Sequence, residues 1–427
     1  MTAGSLTMNG NDFLPVILGS DENAYGNARL FHEAYGIKPL VVCKHGLIPT
    51  AGSRIIDLVT VRDLDDDGIF VSALGSLLEE KSREYGKIVV VPCSDYYTHL
   101  LSKHMDVLGR YISNGVPRFD LLTDLDTKDA FYRLCDRFGM DYPKTLTVSP
   151  KERDSVLGRD GLLDRALIFF PLVMKPENSN ASEYLNCSFE GKKKVYFLNN
   201  AEEYRRVING MKNAGYNGNL IIQEFIPGGD DAMRVVNTYS GKDGKTLAAS
   251  LGQPVLEEYS PATLGNYAAI IPRSDDALCR KIADFLDGIG YTGFANFDMK
   301  YDRRTGRYML FEINCRPGRS SFYVRGAGLN LMKLMTDDAV YGKRPDGTVF
   351  THDTALWTAV PKGVLKKYVK DPVLKNEILS LWRQGRVFRS LFNRGDMGLR
   401  RRLRIFRYYL SYYKSFSRYY FDKDGNE

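Results

Sequence analysis

Residues 311–321 read FEINCRPGRSS, and the fold is best approached from that stretch outward. In a strand alternate side chains share a face, so Glu312 and Asn314 point the same way, about 6.5–7 Å apart. Upstream, GFANFDMKY (293–301) and RYMLFEIN (307–314) are joined by the short turn DRRTG, a pattern that predicts a β-hairpin. Closure about Arg304 sets Asp298 opposite Leu310 and diagonal to Glu312, on the same face. Two carboxylates and a carboxamide converging there form an oxygen-only site, which suits hard Mg2+ ions that bridge nucleotide phosphates. Taken alone, a Glu-x-Asn pair more often faces solvent. Arg316 and Arg319 shift that balance, because acids fit for a metal are followed at once by cations fit for an anionic substrate.

Two lysines extend the picture. Lys175 ends an apolar strand at VMKP, and a lysine is rarely buried without a partner, so a phosphate or carboxylate is expected there. Lys128 stands at the start of a helix, where the macrodipole disfavours a cation unless an anion is near. Each lysine by itself reads as a surface residue. The segment IIQEFIPGGDDAMRV (221–235) runs from a buried strand into a glycine turn with acids. Backbone amides there can serve a base and a carboxylate can serve ribose hydroxyls; the plainer reading is a strand ending in a β-turn.

Further out, the first 110 residues alternate short apolar runs with helical patterns. FLPVILGS, KPLVVCK, RIIDLVTV and KIVVVPCS read as buried strands, with helices near 23–35 and 69–84 between some of them. That alternation predicts a parallel sheet covered by helices. The turn GSDENAYGNA follows the first strand, where a doubly wound fold places its ligand crevice. It is not GxGxxG, which argues against a dinucleotide; Asp21 or Asn23 capping the next helix and a substrate-contacting role are both open. From about 120 the texture becomes α+β. A capped helix precedes the strand YPKTLTV, then come ALIFFPLVMKP, a hairpin-like KKKVYFLN, a helix over 201–211 and the strand NLIIQEF. After about 345 the pattern reads as helical to the end.

Composition sets the outer limits. The chain has 427 residues, 44% hydrophobic and 26% charged, an ordinary globular balance. Its longest apolar stretch, Ala166–Met174, is nine residues and contains Pro171, far short of the about 20 that span a bilayer. MTAGSLTMNGND lacks the basic and apolar regions of a signal peptide. Six scattered cysteines with no CxxC read as reduced thiols of a cytoplasmic protein.

Lys128, VMKP at Lys175, QEFIPGGD at 223–230, Asp298 and EINCR at 312–316, in that order, resemble the ATP-grasp superfamily over about residues 13–335. The resemblance implies an N-terminal Rossmann-like α/β domain (1–119) and a two-lobed α+β ATP-grasp domain over 120–345. Its small lobe would span about 120–222 and its large lobe about 223–345, followed by a helical basic and aromatic region over 346–427. It implies ATP phosphates on Lys128 and Lys175, adenine at Glu224, Phe225 and Ile226, and ribose on Asp230 or Asp231. Asp298, Glu312 and Asn314 would bind Mg2+, as two ions, and Arg316 would face an acyl phosphate. Arg319 and Arg234 are further substrate or phosphate contacts. The loop PENSNASEY (176–184) departs from the pattern, since many relatives are glycine-rich there and this one has no glycine. Ser179 and Ser182 can donate hydroxyls to phosphate instead.

Within the superfamily, FLPVILGSDENAYGNARLFHEAYG (13–36) and IIQEFIPGGDDAMRVVNTYS (221–240) are similar to the D-aspartate ligases of peptidoglycan cross-bridge synthesis. That likeness implies an ATP-dependent ligase that activates the β-carboxylate of D-aspartate and attaches it to the stem-peptide lysine of UDP-MurNAc-pentapeptide. An ATP-grasp ligase of another amino acid or peptide, and a membrane-docked scaffold with a vestigial ATP site, are the alternatives. None of the five histidines has an acidic neighbour at a telling spacing, so the base for the amine is unassigned.

The net charge of +7 has a location. Between Leu399 and Phe421 stand seven basic residues and no acid, while the rest of the chain balances. On a helical projection Arg400, Arg404, Arg407, Lys414 and Arg418 form one strip. Leu399, Leu403, Phe406, Leu410 and Tyr413 form its neighbour, with Tyr409, Tyr412 and Phe416 beside it. The expectation is that this apolar side packs onto the body. The charge calls for an anionic partner, either a nucleotide-linked cell-wall precursor or a membrane surface met through residues 399–420 at the inner face; the neutral body argues against nucleic acid.

Overall fold

The computed structural model describes residues 12–177, 182–261 and 263–421. The four β-branched runs of the N-terminal part form β1 (Phe13–Leu18), β2 (Leu40–Cys43), β3 (Asp57–Thr60) and β4 (Lys87–Pro92). They pair in parallel in the order β3-β2-β1-β4. Parallel neighbours need crossovers, and the helices Glu22–Tyr35 and Asp67–Ser82 supply two of them. Asp21 caps the first helix by accepting the Ala24 N–H at 3.0 Å, and Gly36 ends it with φ 69°. Asn23 serves instead as a long-range tie, its amide donating to the carbonyls of Cys93 (3.0 Å) and Pro317 (2.7 Å).

The chain divides into two compact units. One comprises Gly139–Pro227 and Asp302–Phe311, and the other holds the rest. The smaller unit is built on an antiparallel sheet of β5 (Thr145–Val148), β6 (Leu172–Pro176), β7 (Tyr196–Leu198) and β8 (Leu220–Glu224), in the order β5-β8-β6-β7. Leu172, Met174 and Ile222 from that sheet bury against Ile208 and Met211 of the helix Ala201–Asn213. That helix starts at Asn200, which accepts the Glu203 N–H.

The larger sheet comprises β9 (Met233–Ser240), β10 (Thr246–Glu257), β11 (Tyr267–Arg273), β12 (Gly293–Asp302) and β13 (Arg307–Asn314), together with three short strands, β14 (Val349–Phe350), β15 (Leu356–Thr358) and β16 (Val387–Phe388). Its order is β13-β12-β9-β10-β11-β15-β16, with β14 beside β10. Every residue of β10 is buried, which makes it the backbone of this layer. Between β12 and β13 the Asp302 carbonyl accepts the N–H groups of Thr305 and Gly306, and Gly306 takes φ 70° to close the turn. One apolar core runs from the first sheet into this one, through Ile17, Tyr25, Phe31, Tyr239, Phe322 and Trp357.

The C-terminal region departs from the sequence reading in two respects. It carries β14, β15 and β16 among its helices, strands of two or three residues that are too short to show alternation. Its last helix, Leu399–Tyr419, packs with a face other than the expected one. Arg401, Ile405, Tyr412 and Phe416 are buried, whereas Leu399, Leu403, Phe406, Leu410 and Tyr413 are 76%, 53%, 51%, 43% and 44% exposed. Of the apolar side expected to pack, the flanking Tyr412 and Phe416 are buried and the central strip is not. The buried side thus mixes apolar side chains with a tyrosine and an arginine. Arg401 donates to the carbonyls of Pro49 (2.7 Å) and Ala51 (3.1 Å) and pairs with Asp396 at 3.2 Å.

Candidate active site

Asp298 lies on β12, and Glu312 and Asn314 lie on β13. Strand alternation turns all three into one pocket of about 320 Å3, which Asn296, Arg316 and Arg319 also line. The Asn314 amide donates to Asp298 Oδ2 at 2.9 Å, so the shared face expected from the hairpin is present. Asp298 Oδ1 accepts the Tyr267 hydroxyl at 2.7 Å. Burial pushes the Asp298 carboxyl well above the usual carboxylate range, and the neighbouring Glu312 charge adds to this. The hydrogen bonds from Tyr267 and Asn314 offset part of the rise.

Three cations face these acids. Lys128, first residue of the helix Lys128–Arg137, places Nζ 3.4 Å from Glu312 Oε2. Glu312 therefore supplies the anion that a lysine at a helix start calls for. Arg316 reaches Asp95 with two nitrogens, at 2.6 and 2.9 Å, and sits 3.4 Å from Asn314 Oδ1. Arg319 pairs with Glu258 at 2.5 Å and donates to the Tyr267 carbonyl at 2.7 Å. Burial alone would lower the Arg319 pKa, yet the Glu258, Tyr412 and Glu22 charges hold it above its usual value.

The remaining expected residues lie elsewhere. Asp230, Asp231 and Arg234 belong to the larger unit but do not line the pocket. Asp230 Oδ2 accepts the Glu257 N–H and the Tyr259 hydroxyl, both at 2.8 Å. Arg234 donates to the Asp231 and Met233 carbonyls at 2.7 Å and lies over the Tyr301 ring. On β9 it pairs with Met299, so it occupies the sheet face opposite Asp298, which pairs with Val235. In the smaller unit, Lys175 is on β6, opposite Ile221 of β8. Glu224 ends β8 and accepts from Arg304 at 3.1 Å, Phe225 packs edge-on to Phe197, and Ile226 is buried. Ser182 begins the short helix Ser182–Asn186. Ser179 lies outside the described residues.

Sequence reasoning missed several members of the site. Asn296 was within reach, since it precedes Asp298 by two positions and so shares its strand face. Asp95 opens a helix directly after β4, a place where parallel sheets present ligand-facing residues. Glu22 and Glu258 gave no local signal. Both are buried near Arg319, and burial raises the Glu22 carboxyl to about 7. The histidines do find acids in space: His99 pairs with Asp126, His104 with Asp67, and His352 with Asp276 at 3.1 Å. The Asp126 bond raises the His99 pKa.

Two carboxylates and a carboxamide are a donor set for a hard, oxygen-seeking ion. Among the described residues no cluster of three or more His, Cys, Asp or Glu side chains is arranged to hold a metal, so any ion here relies on Asn314 as well. The raised Asp298 carboxyl beside Glu312 marks a place deficient in positive charge, and a Mg2+ ion fits it.

No family model matches the chain. Its fold is that of an L-amino acid ligase from Bacillus licheniformis, with 15% identity and TM-score 0.51 over 78% of this chain and 75% of that one. It is equally that of the biotin carboxylase domain of the 2-oxoglutarate carboxylase of Hydrogenobacter thermophilus, solved with MgADP, ADP and bicarbonate. There the identity is 12% and the TM-score 0.54, over 78% and 71% of the two chains. At 15% and 12% identity these two likenesses show the fold alone. A curated D-aspartate ligase of Enterococcus faecium (strain Aus0004) is 37% identical over 420 residues, 97% of this chain and 98% of that protein. The chain belongs to the family of that D-aspartate ligase. Among the described residues no helix is long and apolar enough to cross a membrane.

Proposed function

We propose that the protein joins the β-carboxylate of D-aspartate to the side-chain amine of the stem-peptide lysine in UDP-MurNAc-pentapeptide, in the cytoplasm. The observation that carries this reading is the likeness to the Enterococcus faecium D-aspartate ligase along 97% of the chain. A carboxylate does not acylate an amine at neutral pH, because oxide is too poor a leaving group. Transfer of the γ-phosphoryl group breaks its bond to ADP and forms a carboxylate oxygen–phosphorus bond, giving an acyl phosphate. The amine nitrogen then bonds to the acyl carbon, the carbon–oxygen bond to phosphate breaks, and the amine gives up a proton.

In this reading Lys128 and Lys175 hold ATP phosphates, with Ser179 and Ser182 as further hydroxyl donors. Glu224, Phe225 and Ile226 meet the adenine, and Asp230 or Asp231 the ribose. Asp298, Glu312 and Asn314 hold two Mg2+ ions. When bound, the metal offsets the charge of two anions approaching one another. Arg316 and Arg319 hold the substrate carboxylate and then the tetrahedral oxyanion; the loss of one such donor costs about 100- to 1,000-fold in rate. Both guanidinium groups line the same pocket as the three acidic and amide ligands, which supports these roles. Arg234 lies on the other sheet face, so any role it has in phosphate binding is exerted from there.

The test is ADP release with Mg2+-ATP, UDP-MurNAc-pentapeptide and either D- or L-aspartate, with product mass. Turnover that requires D-aspartate and adds one aspartyl residue is the expected result. ATP binding with no turnover on either isomer would discard the substrate and leave the ligase class intact.

A further inference from the structure

The outer face of the helix Leu399–Tyr419 is unusual for a helix that already has a packed side. Arg401, Ile405, Tyr412 and Phe416 bury its inner side, Tyr409 donates to the Val360 carbonyl at 2.9 Å, and Phe416 packs against the Tyr368 ring at 5.2 Å between centroids. Five large apolar side chains, Leu399, Leu403, Phe406, Leu410 and Tyr413, then remain on the solvent side, between 43% and 76% exposed. At 100° per residue they fall in a strip about 80° wide. Lys414, Arg407, Arg400, Arg418 and Arg404 border that strip on one side and Arg402 on the other, and all six are exposed. Among the described residues none of the six forms a salt bridge; the one paired arginine of this helix is Arg401, on the buried side.

The neighbourhood carries the same sign. From Thr354 to Phe421 there are 16 basic residues against three acids, Asp371, Glu377 and Asp396. All three acids are engaged internally, in a helix cap, an ion pair with Arg273 and the bond to Arg401. The helix Lys362–Tyr368 lies against this one, with Gly363 under the Tyr413 hydroxyl, and adds exposed Lys366 and Lys367.

We propose that this face docks the protein on an anionic lipid surface, with the helix lying in the plane of the interface. Leu399, Leu403, Phe406, Leu410 and Tyr413 enter the boundary between headgroups and acyl chains, and the flanking basic residues meet lipid phosphates. Long arginine and lysine stems reach past an apolar strip to headgroups, so the two sets act together. Charge decides against a second copy of this chain, because an isologous contact through this face sets one strongly basic surface against another. An apolar strip down the middle of the positive field is what a lipid boundary uses and an anion in solution does not.

The experiment is cosedimentation of the full chain with vesicles of phosphatidylcholine, or of equimolar phosphatidylcholine and phosphatidylglycerol. Binding to the anionic vesicles alone, weakened by salt, is expected. The pair Arg404→Gln/Arg407→Gln is expected to weaken it about 25-fold, at about fivefold per basic residue. Leu403→Ser/Phe406→Ser is expected to weaken it about tenfold or more. Both pairs alter solvent-side positions, and circular dichroism melting checks that the fold is kept. Failure to bind either vesicle, binding indifferent to lipid charge, or binding unchanged in both variants would overturn the proposal. So would vesicle-independent self-association abolished by Leu403→Ser/Phe406→Ser, which would give the face to a second copy.

Discussion

Glu22 offers a quantitative test of how the loop Arg316–Arg319 is held. Its carboxyl is buried close to Arg319, which also pairs with the buried Glu258, and its Oε2 has no hydrogen-bond partner among the described residues. One guanidinium therefore faces two acids in low dielectric. Burial is the largest influence on Glu22; the Arg319 charge opposes it and the Glu258 charge reinforces it, and the carboxyl keeps its proton to about pH 7. An ordinary glutamate, as in the unfolded chain, releases its proton near 4.5. Below that value both states hold the proton. As pH rises to about 7 the unfolded chain ionises while the fold does not, so the stability conferred by the proton drains away and stays lost above it. The gap between 4.5 and about 7 corresponds to about 3 kcal/mol.

Glu22→Gln removes the titration while keeping shape. Urea unfolding of both proteins at about pH 5 and about pH 8 gives the difference in stability at each end. Groups that titrate identically in the two proteins cancel in that difference. The unfolded glutamate is already mostly ionised at about pH 5, so the variant should gain on the parent by about 2.5 kcal/mol between the two pH values. A difference that stays constant across the range would show that Glu22 is ionised throughout, and the account of the cluster would be wrong.

Two further outcomes follow from the site and its frame. Glu312→Gln and Lys175→Ala should each abolish ligation with the far-ultraviolet spectrum and melting curve preserved; near-normal turnover in either purified variant would remove the ATP-site assignment. Asp396 is fully buried, accepts from the Tyr25 and Ser53 hydroxyls at 2.7 Å and from the Arg54 N–H, and forms an ion pair with Arg401 at 3.2 Å. Asp396→Ala leaves the Arg401 charge buried and unmatched, so urea unfolding should show a loss of about 3–5 kcal/mol.

The parts legible in the sequence were those with short-range periodicity. The hairpin announced which side chains meet because a two-residue repeat and a short turn fix which of them share a face. Asn314 does meet Asp298, at 2.9 Å. Lys128 at a helix start is disfavoured by the helix dipole unless an anion is near, and Glu312 stands there at 3.4 Å. Contacts closed over long distances gave no such signal. Arg316 meets Asp95 across 221 residues, and Asn23 meets the Pro317 carbonyl across 294. The last helix misled for a chemical reason. Tyrosine and arginine can be buried when their polar ends are bonded, so a projection that sorts residues by apolarity cannot tell a packed tyrosine face from an exposed leucine face.

On the proposed assignment of Arg316 and Arg319, these long-range bonds bear on catalysis. Arg316 follows β13 and Arg319 opens the short 3-10 turn Arg319–Phe322, and each is held by residues far away in the chain. Asp95 grips Arg316 with both oxygens, Glu258 and the Tyr267 carbonyl fix Arg319, and Asn23 holds the Pro317 carbonyl. Asp95 and Asn23 come from the N-terminal sheet layer, so that layer holds the segment that carries the two arginines without itself lining the pocket. Cations held in place before an anion arrives do not reorganise during the reaction, which is where much of the rate advantage of a preorganised site resides. The two-pronged grip also explains the residue type. A planar guanidinium can satisfy Asp95 along one edge and still present another edge to a substrate carboxylate, whereas the point charge of a lysine would have to choose between them.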